Sequence, residues 1–121
     1  MRILVADDQP RVRFALRTLL ERQPDMKVVG EAVDAEDLMV QMRQVRPDLV
    51  LLDWNLVGLA AEDLLSDLRE ACPEVSVIAL SGRPEDRQSA LDAGVNGFAC
   101  KCDSAHRLLA AIDAIQRSPS V

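Results

Sequence analysis

The chain has 121 residues, about the size of one ordinary domain. It is 49% hydrophobic and 28% charged, with a net charge of −6 and 2% aromatics. That balance leaves no basic footprint for nucleic acid or an anionic membrane, and few rings for base stacking. The apolar pattern then alternates between short runs and helical periodicity. Arg2–Ala6 reads as a first strand, followed by a helix carrying Val12, Ala15, Leu16, Leu19 and Leu20 on one stripe. Pro10 suits the first turn of that helix and Pro24-Asp25 closes it. Val28–Ala32 is a second strand, and Ala35, Leu38, Met42 and Val45 mark a second helix ending before Pro47. Leu49–Asp53 is a third strand whose continuous apolar run, Leu49 to Leu52, fits a central parallel strand covered on both faces. Ala61, Leu64, Leu65, Leu68 and Cys72 mark a third helix, and Val75–Ser81 a fourth strand beyond Pro73. A short, mostly polar helix near Pro84–Ala93 ends at Gly94, Gly97–Lys101 is the fifth strand, and Ser104 can cap a last helix with Leu108, Ile112 and Ile115.

The sum is (βα)5: an α/β fold with a doubly wound, five-stranded parallel sheet and right-handed crossovers. Residues 1–117 are expected to form the domain, and 118–121 a tail or linker stub. Two acids follow the first four apolar residues after Arg2, too early for a secretory signal or a membrane span, so the expected location is the cytoplasm. Three cysteines without a Cys-x-x-Cys pair argue against a zinc site or a disulfide framework, and favour small, partly buried hydrophobes in a reducing compartment. The lone His106 reads as a surface residue, Trp54 as packing, and the charge run Arg11, Arg13, Arg17 and Glu21-Arg22 as a solvated helix face, with contact to a kinase or a second protomer as the alternative.

In such a sheet, sites form at the carboxyl ends of the strands. Asp7 and Asp8 end strand one, Asp53 strand three, Ser81 strand four and Lys101 strand five, so the topology brings all five to one rim. Three crowded carboxylates must either take up protons or be neutralised by a hard cation, and oxygen-rich ligation suits Mg²⁺. Lys101 would offer a point charge to a phosphate, and Ser81 a hydroxyl donor. Each residue alone has a bland explanation, in helix capping, turn chemistry or a solvated strand end. All five being bland at equivalent strand ends is far less economical.

With Asp7-Asp8 after Leu4-Val5-Ala6, Asp53 after Leu49-Val50-Leu51-Leu52, Ser81 in Leu80-Ser81-Gly82 and Lys101 after Phe98-Ala99-Cys100, the chain resembles the receiver domains of two-component response regulators. Asp7-Asp8-Gln9-Pro10, Val28-Val29-Gly30-Glu31-Ala32 and the Lys101, Ser104, Leu108 spacing are similar to the LuxR/NarL-type group. The resemblance implies a flavodoxin-like sheet in the order 2-1-3-4-5. It implies a signalling switch rather than a turnover enzyme, with Asp53 as phosphoacceptor from a sensor histidine kinase and only slow self-catalysed dephosphorylation. Mg²⁺ would be held by Asp8 directly, by Asp7 mainly through water, by Asp53, and by the backbone carbonyl of Asn55. Ser81 and Lys101 would bind the phosphoryl oxygens, Phe98 would be an aromatic switch coupled to Ser81, and Asn55 and Arg83 would tune phosphoryl lifetime. A homodimer and a C-terminal DNA-binding domain outside this chain are compatible partners. Contact of this chain itself with nucleic acid or membrane is not expected.

The chain departs from the family after Asn55, where Leu56-Val57-Gly58-Leu59-Ala60-Ala61 replaces the usual Met-Pro-Gly-Met-Asp-Gly, and at Phe98, which lacks the frequent tyrosine hydroxyl. A haloacid-dehalogenase-type phosphatase is disfavoured because Asn55 stands where its general acid belongs. A flavodoxin-like cofactor binder is disfavoured because Asp7-Asp8 would repel phosphate. A receiver-like interaction module that is never phosphorylated stays open as the alternative.

Overall fold

A computed structural model describes residues 1–57 and 61–117. The middle of the divergent 56–61 segment and the 118–121 tail lie outside the described residues. In chain order the elements are β1 (Arg2–Ala6), α1 (Pro10–Glu21), β2 (Lys27–Ala32), α2 (Ala35–Val45), β3 (Leu49–Asp53), α3 (Trp54–Val57), α4 (Ala61–Ala71), β4 (Ser76–Ser81), α5 (Asp86–Ala93), β5 (Gly97–Cys100) and α6 (Ala105–Arg117). The strands form one parallel sheet in the order β2-β1-β3-β4-β5. This is the doubly wound flavodoxin-like architecture expected from the alternating pattern. The differences are local: α3 is an unforeseen single turn, α5 starts two residues later, and Lys101 stands just beyond β5 rather than within it.

The period of two in a strand explains how five short runs seal two cores. Leu49 and Leu51 point with Ile3, Val5, Ile78 and Leu80 into a cluster beneath α1 and α6, where Leu20, Leu108 and Ile112 meet them. Val50 and Leu52 point the other way with Leu4, Ala6, Val77 and Ala79, against Leu38 and Met42 of α2 and Leu64, Leu65 and Leu68 of α4. Every residue of β3 is buried, as expected of the central strand in a doubly covered sheet. Trp54 is half-buried against the second cluster, so its role there is packing.

Local signals set the boundaries. Pro10 opens α1 at a position where a missing N–H is harmless. The Asp34 carboxylate caps α2 by accepting from the Asp37 N–H at 2.7 Å. Gly94 ends α5 at φ 110°, a left-handed conformation that glycine adopts without a Cβ clash. Arg46 ends α2 in the same region at φ 46° without that advantage. One irregularity falls between Ile3 and Leu4, where the register jumps from Val28 to Gly30 and leaves Val29 extra in β2. The arginine face of α1 is less solvated than its spacing suggests. Arg13 and Arg17 both reach Glu31 of β2, at 3.3 and 2.8 Å, and clamp helix to sheet.

Candidate functional site

The parallel register delivers the polar residues to one rim. β1 ends at Ala6, so Asp7 is the next residue, and its N–H still bonds the Ala32 carbonyl at 3.0 Å. Asp53 is the last residue of β3 and pairs with Leu80, one short of Ser81 at the end of β4. Ser81 pairs with Cys100, and the Lys101 N–H donates to the Ser81 carbonyl at 2.6 Å. Among the described residues, the buried polar or charged ones are Asp7, Asp53 and Ser81, each 1% exposed. A protein interior does not bury such groups without partners or purpose.

Lys101 is the chief partner. Its Nζ lies 2.7 Å from Asp7 Oδ2 and 3.2 Å from Asp53 Oδ1, linking the first and last strand ends of the site. Backbone adds to this hold: Gln9 N–H donates to the other Asp7 oxygen, Oδ1, at 2.8 Å, and Asn55 N–H to the same Asp53 Oδ1 at 3.2 Å. Asp8 is exposed at the mouth. Oxygens of Asp7, Asp8 and Asp53 all come within 4.8 Å of one another, a spacing that one cation can bridge. The donor set is all oxygen, which fits a hard divalent ion such as Mg²⁺.

Burial pushes the Asp53 carboxyl above its ordinary value, and the charge of Asp7 adds to that, against the Asn55 N–H and Lys101. Burial also works to lower the Lys101 ammonium, but its bonds and charge contacts with Asp7 and Asp53 outweigh it and leave the group raised. Lys101 therefore stays charged throughout the neutral range. The raised Asp53 carboxyl is one whose ionised state a further positive charge would favour.

Two groups that the sequence did not place at the site complete the frame. Arg13 donates to the Asp7 carbonyl at 2.7 Å, fixing the acidic loop from α1. Asp86, in the first turn of α5, accepts a 2.6 Å hydrogen bond from the Ser81 hydroxyl, which itself accepts from the Arg83 N–H at 3.0 Å. An acid five residues past a strand end carries no periodic signal, so Asp86 emerges only from the folded arrangement of α5 against β4. Asn55, two residues after Asp53, is exposed, and Phe98 is half-buried on β5 against the α2/α4 core, outside the charged cluster. The Arg83 side chain pairs with Glu85 at 3.2 Å.

The departure from expectation lies at the cysteines. Cys100 and Cys102 are disulfide-bonded on either side of Lys101, whereas Cys72 is free and buried. The tight turn after β5 brings together two sulfurs whose spacing matches no common motif.

A doubly wound sheet with an acidic, lysine-bridged pocket at its carboxyl rim defines the class of receiver folds. The sequence model of the response regulator receiver domain matches residues 3–113, and the chain belongs to that family. Response regulator protein VraR of Staphylococcus aureus is 28% identical over the whole of this chain, and the chain spans about three-fifths (59%) of its length. A LuxR-family two-component response regulator from Aurantimonas sp. SI85-9A1 superposes with a TM-score of 0.85 at 30% identity, over 96% of this chain and 84% of that one. RcsB from Salmonella enterica serovar Typhimurium, solved bound to the promoter rprA with the phosphomimetic BeF3⁻, gives 0.84 at 26% identity, over 97% and 60%. Among the described residues no helix is long and apolar enough to cross a membrane.

Proposed function

We propose that the chain is a phosphorylation-dependent switch that accepts a phosphoryl group on Asp53 from a sensor histidine kinase in the cytoplasm. The observation that carries this reading is the buried carboxylate of Asp53, bridged by Lys101 to a second buried carboxylate and open to a third. Asp7, Asp8, Asp53 and the Asn55 carbonyl would hold Mg²⁺, which when bound supplies charge neutralisation for the incoming phosphoryl group. Asp53 Oδ forms the new bond to phosphorus while the bond to the donor's nitrogen breaks. Lys101 and the Ser81 hydroxyl then take the phosphoryl oxygens, and Phe98 repacks as Ser81 moves. Residues 1–117 are the receiver in this reading, and the altered surface serves a homodimer or an attached DNA-binding domain. The shorter span relative to VraR and the promoter-bound state of RcsB support the latter.

Intact mass after incubation with acetyl phosphate and Mg²⁺ tests the reading. A gain of one phosphoryl group is expected, absent with a chelator and absent in Asp53→Asn. No gain in folded protein would make the chain a receiver-like interaction module instead.

The Asp86 bond adds a finer expectation. Ser81 must leave Asp86 before its hydroxyl can serve a phosphoryl oxygen, so Asp86→Ala removes a competitor. The variant should hold its phosphoryl group about fivefold longer, the equivalent of one hydrogen bond of ~1 kcal/mol. The decay of the phosphorylated mass after removal of acetyl phosphate reads this directly, and an unchanged decay would deny Asp86 a hold on the switch.

A further inference from the structure

The turn that presents Lys101 carries a chemistry of its own. Cys100 closes β5 and is 8% exposed, Cys102 is exposed, and their Cα atoms stand 5.2 Å apart, within the ordinary span of a cystine. The same turn is tied by the Asp103 N–H to the Cys100 carbonyl at 2.9 Å, and by the Cys100 N–H to Asp103 Oδ2 at 3.3 Å. The ring therefore encloses the residue whose Nζ bridges Asp7 and Asp53. Cys72 packs in the core on the α2/α4 side, whereas Cys100 lines a groove of about 350 Å³ between α1 and α6, so the third thiol stays out of exchange. In a thiol-keeping compartment a disulfide of this kind is transient and serves redox sensing or catalysis more often than architecture.

We propose that Cys100 and Cys102 are a redox modification site, oxidised by small-molecule disulfides, whose closure around Lys101 slows phosphoryl uptake at Asp53. The coupling to Asp53 rests on the function proposed above, but the redox site itself does not. The Cys102 thiolate attacks one sulfur of R–S–S–R, forming Cys102–S–S–R and releasing R–S⁻, which takes up the proton Cys102 has lost. The Cys100 thiolate then attacks the Cys102 sulfur. The Cys100–Cys102 bond forms, the bond to R–S breaks, and the second R–S⁻ takes up the proton from Cys100. Two protein thiols are oxidised and one small disulfide is reduced to two thiols. Receiving a phosphoryl group requires Lys101 to turn from Asp7 toward the new oxygens, and the closed ring restrains the backbone from which it turns. Opening the ring restores that freedom.

The test equilibrates the 121-residue chain in oxidised or reduced glutathione, alkylates it after denaturation, and reads intact mass. Three labels are expected from the reduced protein and one, on Cys72, from the oxidised protein, with no retained glutathione. Cys102→Ala should close no ring. Initial phosphoryl uptake from acetyl phosphate with Mg²⁺ should be about fivefold slower in the oxidised parent, the low end of coupling between sites. In Cys102→Ala it should be the same in both buffers. Three labels surviving in folded protein under oxidised glutathione would overturn the site, and ring closure with equal uptake rates would overturn the coupling. Ring closure with no phosphoryl gain in either form would sink the reading of Asp53 while leaving the redox site standing.

Discussion

Lys101→Ala is expected to destabilise the protein by about 3 kcal/mol at neutral pH without metal, and to slow phosphoryl uptake roughly a hundredfold. The side chain spans 2.7 Å to Asp7 and 3.2 Å to Asp53, and both carboxylates are almost wholly out of water. Removing the ammonium leaves two buried anions facing each other, a far worse state than the pair it replaces. The pH dependence has a definite sign. Burial, with help from Asp7, already raises Asp53 above its unfolded value. A raised carboxyl contributes its full stability below the unfolded pKa and loses it as pH rises through the folded pKa. The variant's deficit should therefore be largest at neutral pH and shrink on acidification. Added Mg²⁺ should shrink it too, by binding the folded state alone. Urea unfolding at neutral and mildly acidic pH, with chelator or with Mg²⁺, reads all of this. Parent-like stability in chelator at neutral pH would show that the two acids do not depend on Lys101.

Asp8→Ala is expected to weaken Mg²⁺ binding about a hundredfold, the upper end of what even outer-sphere partners of a metal contribute. Stability should barely move, within ~0.5 kcal/mol, because Asp8 is exposed. Asp7→Ala differs sharply, since that carboxylate is buried and serves both Lys101 and the Gln9 N–H. Trp54 is the protein's single tryptophan and stands next to Asp53, so its fluorescence during a Mg²⁺ titration offers a local readout. Unchanged affinity in Asp8→Ala would move the metal away from the acidic mouth.

Much of this architecture is legible in the sequence, for identifiable reasons. The Leu49–Leu52 run fits a strand covered on both faces, and the helical stripes between the runs mark the alternation. Once the strands are parallel, Asp7, Asp53, Ser81 and Lys101 must share a rim, because all four stand at carboxyl ends. What escapes is what depends on the third dimension alone. The four residues of α3 are too few to show a period. The bonds from Arg13 to the Asp7 carbonyl and from Ser81 to Asp86 depend on how helices sit against the sheet. Cys100 and Cys102 read as isolated small residues until the turn between them is known to be tight.

The Lys101–Asp7 bridge joins residues 94 positions apart, and it lies across β3, the middle of the sheet. Such a contact closes late, because nearly the whole chain must be ordered before its two ends meet. During synthesis, a nascent chain that has released only the first four strands carries the acids without their cation. The charged pocket is thus a seal on the finished fold, and a ribosome-bound fragment ending before Lys101 has no means to assemble it.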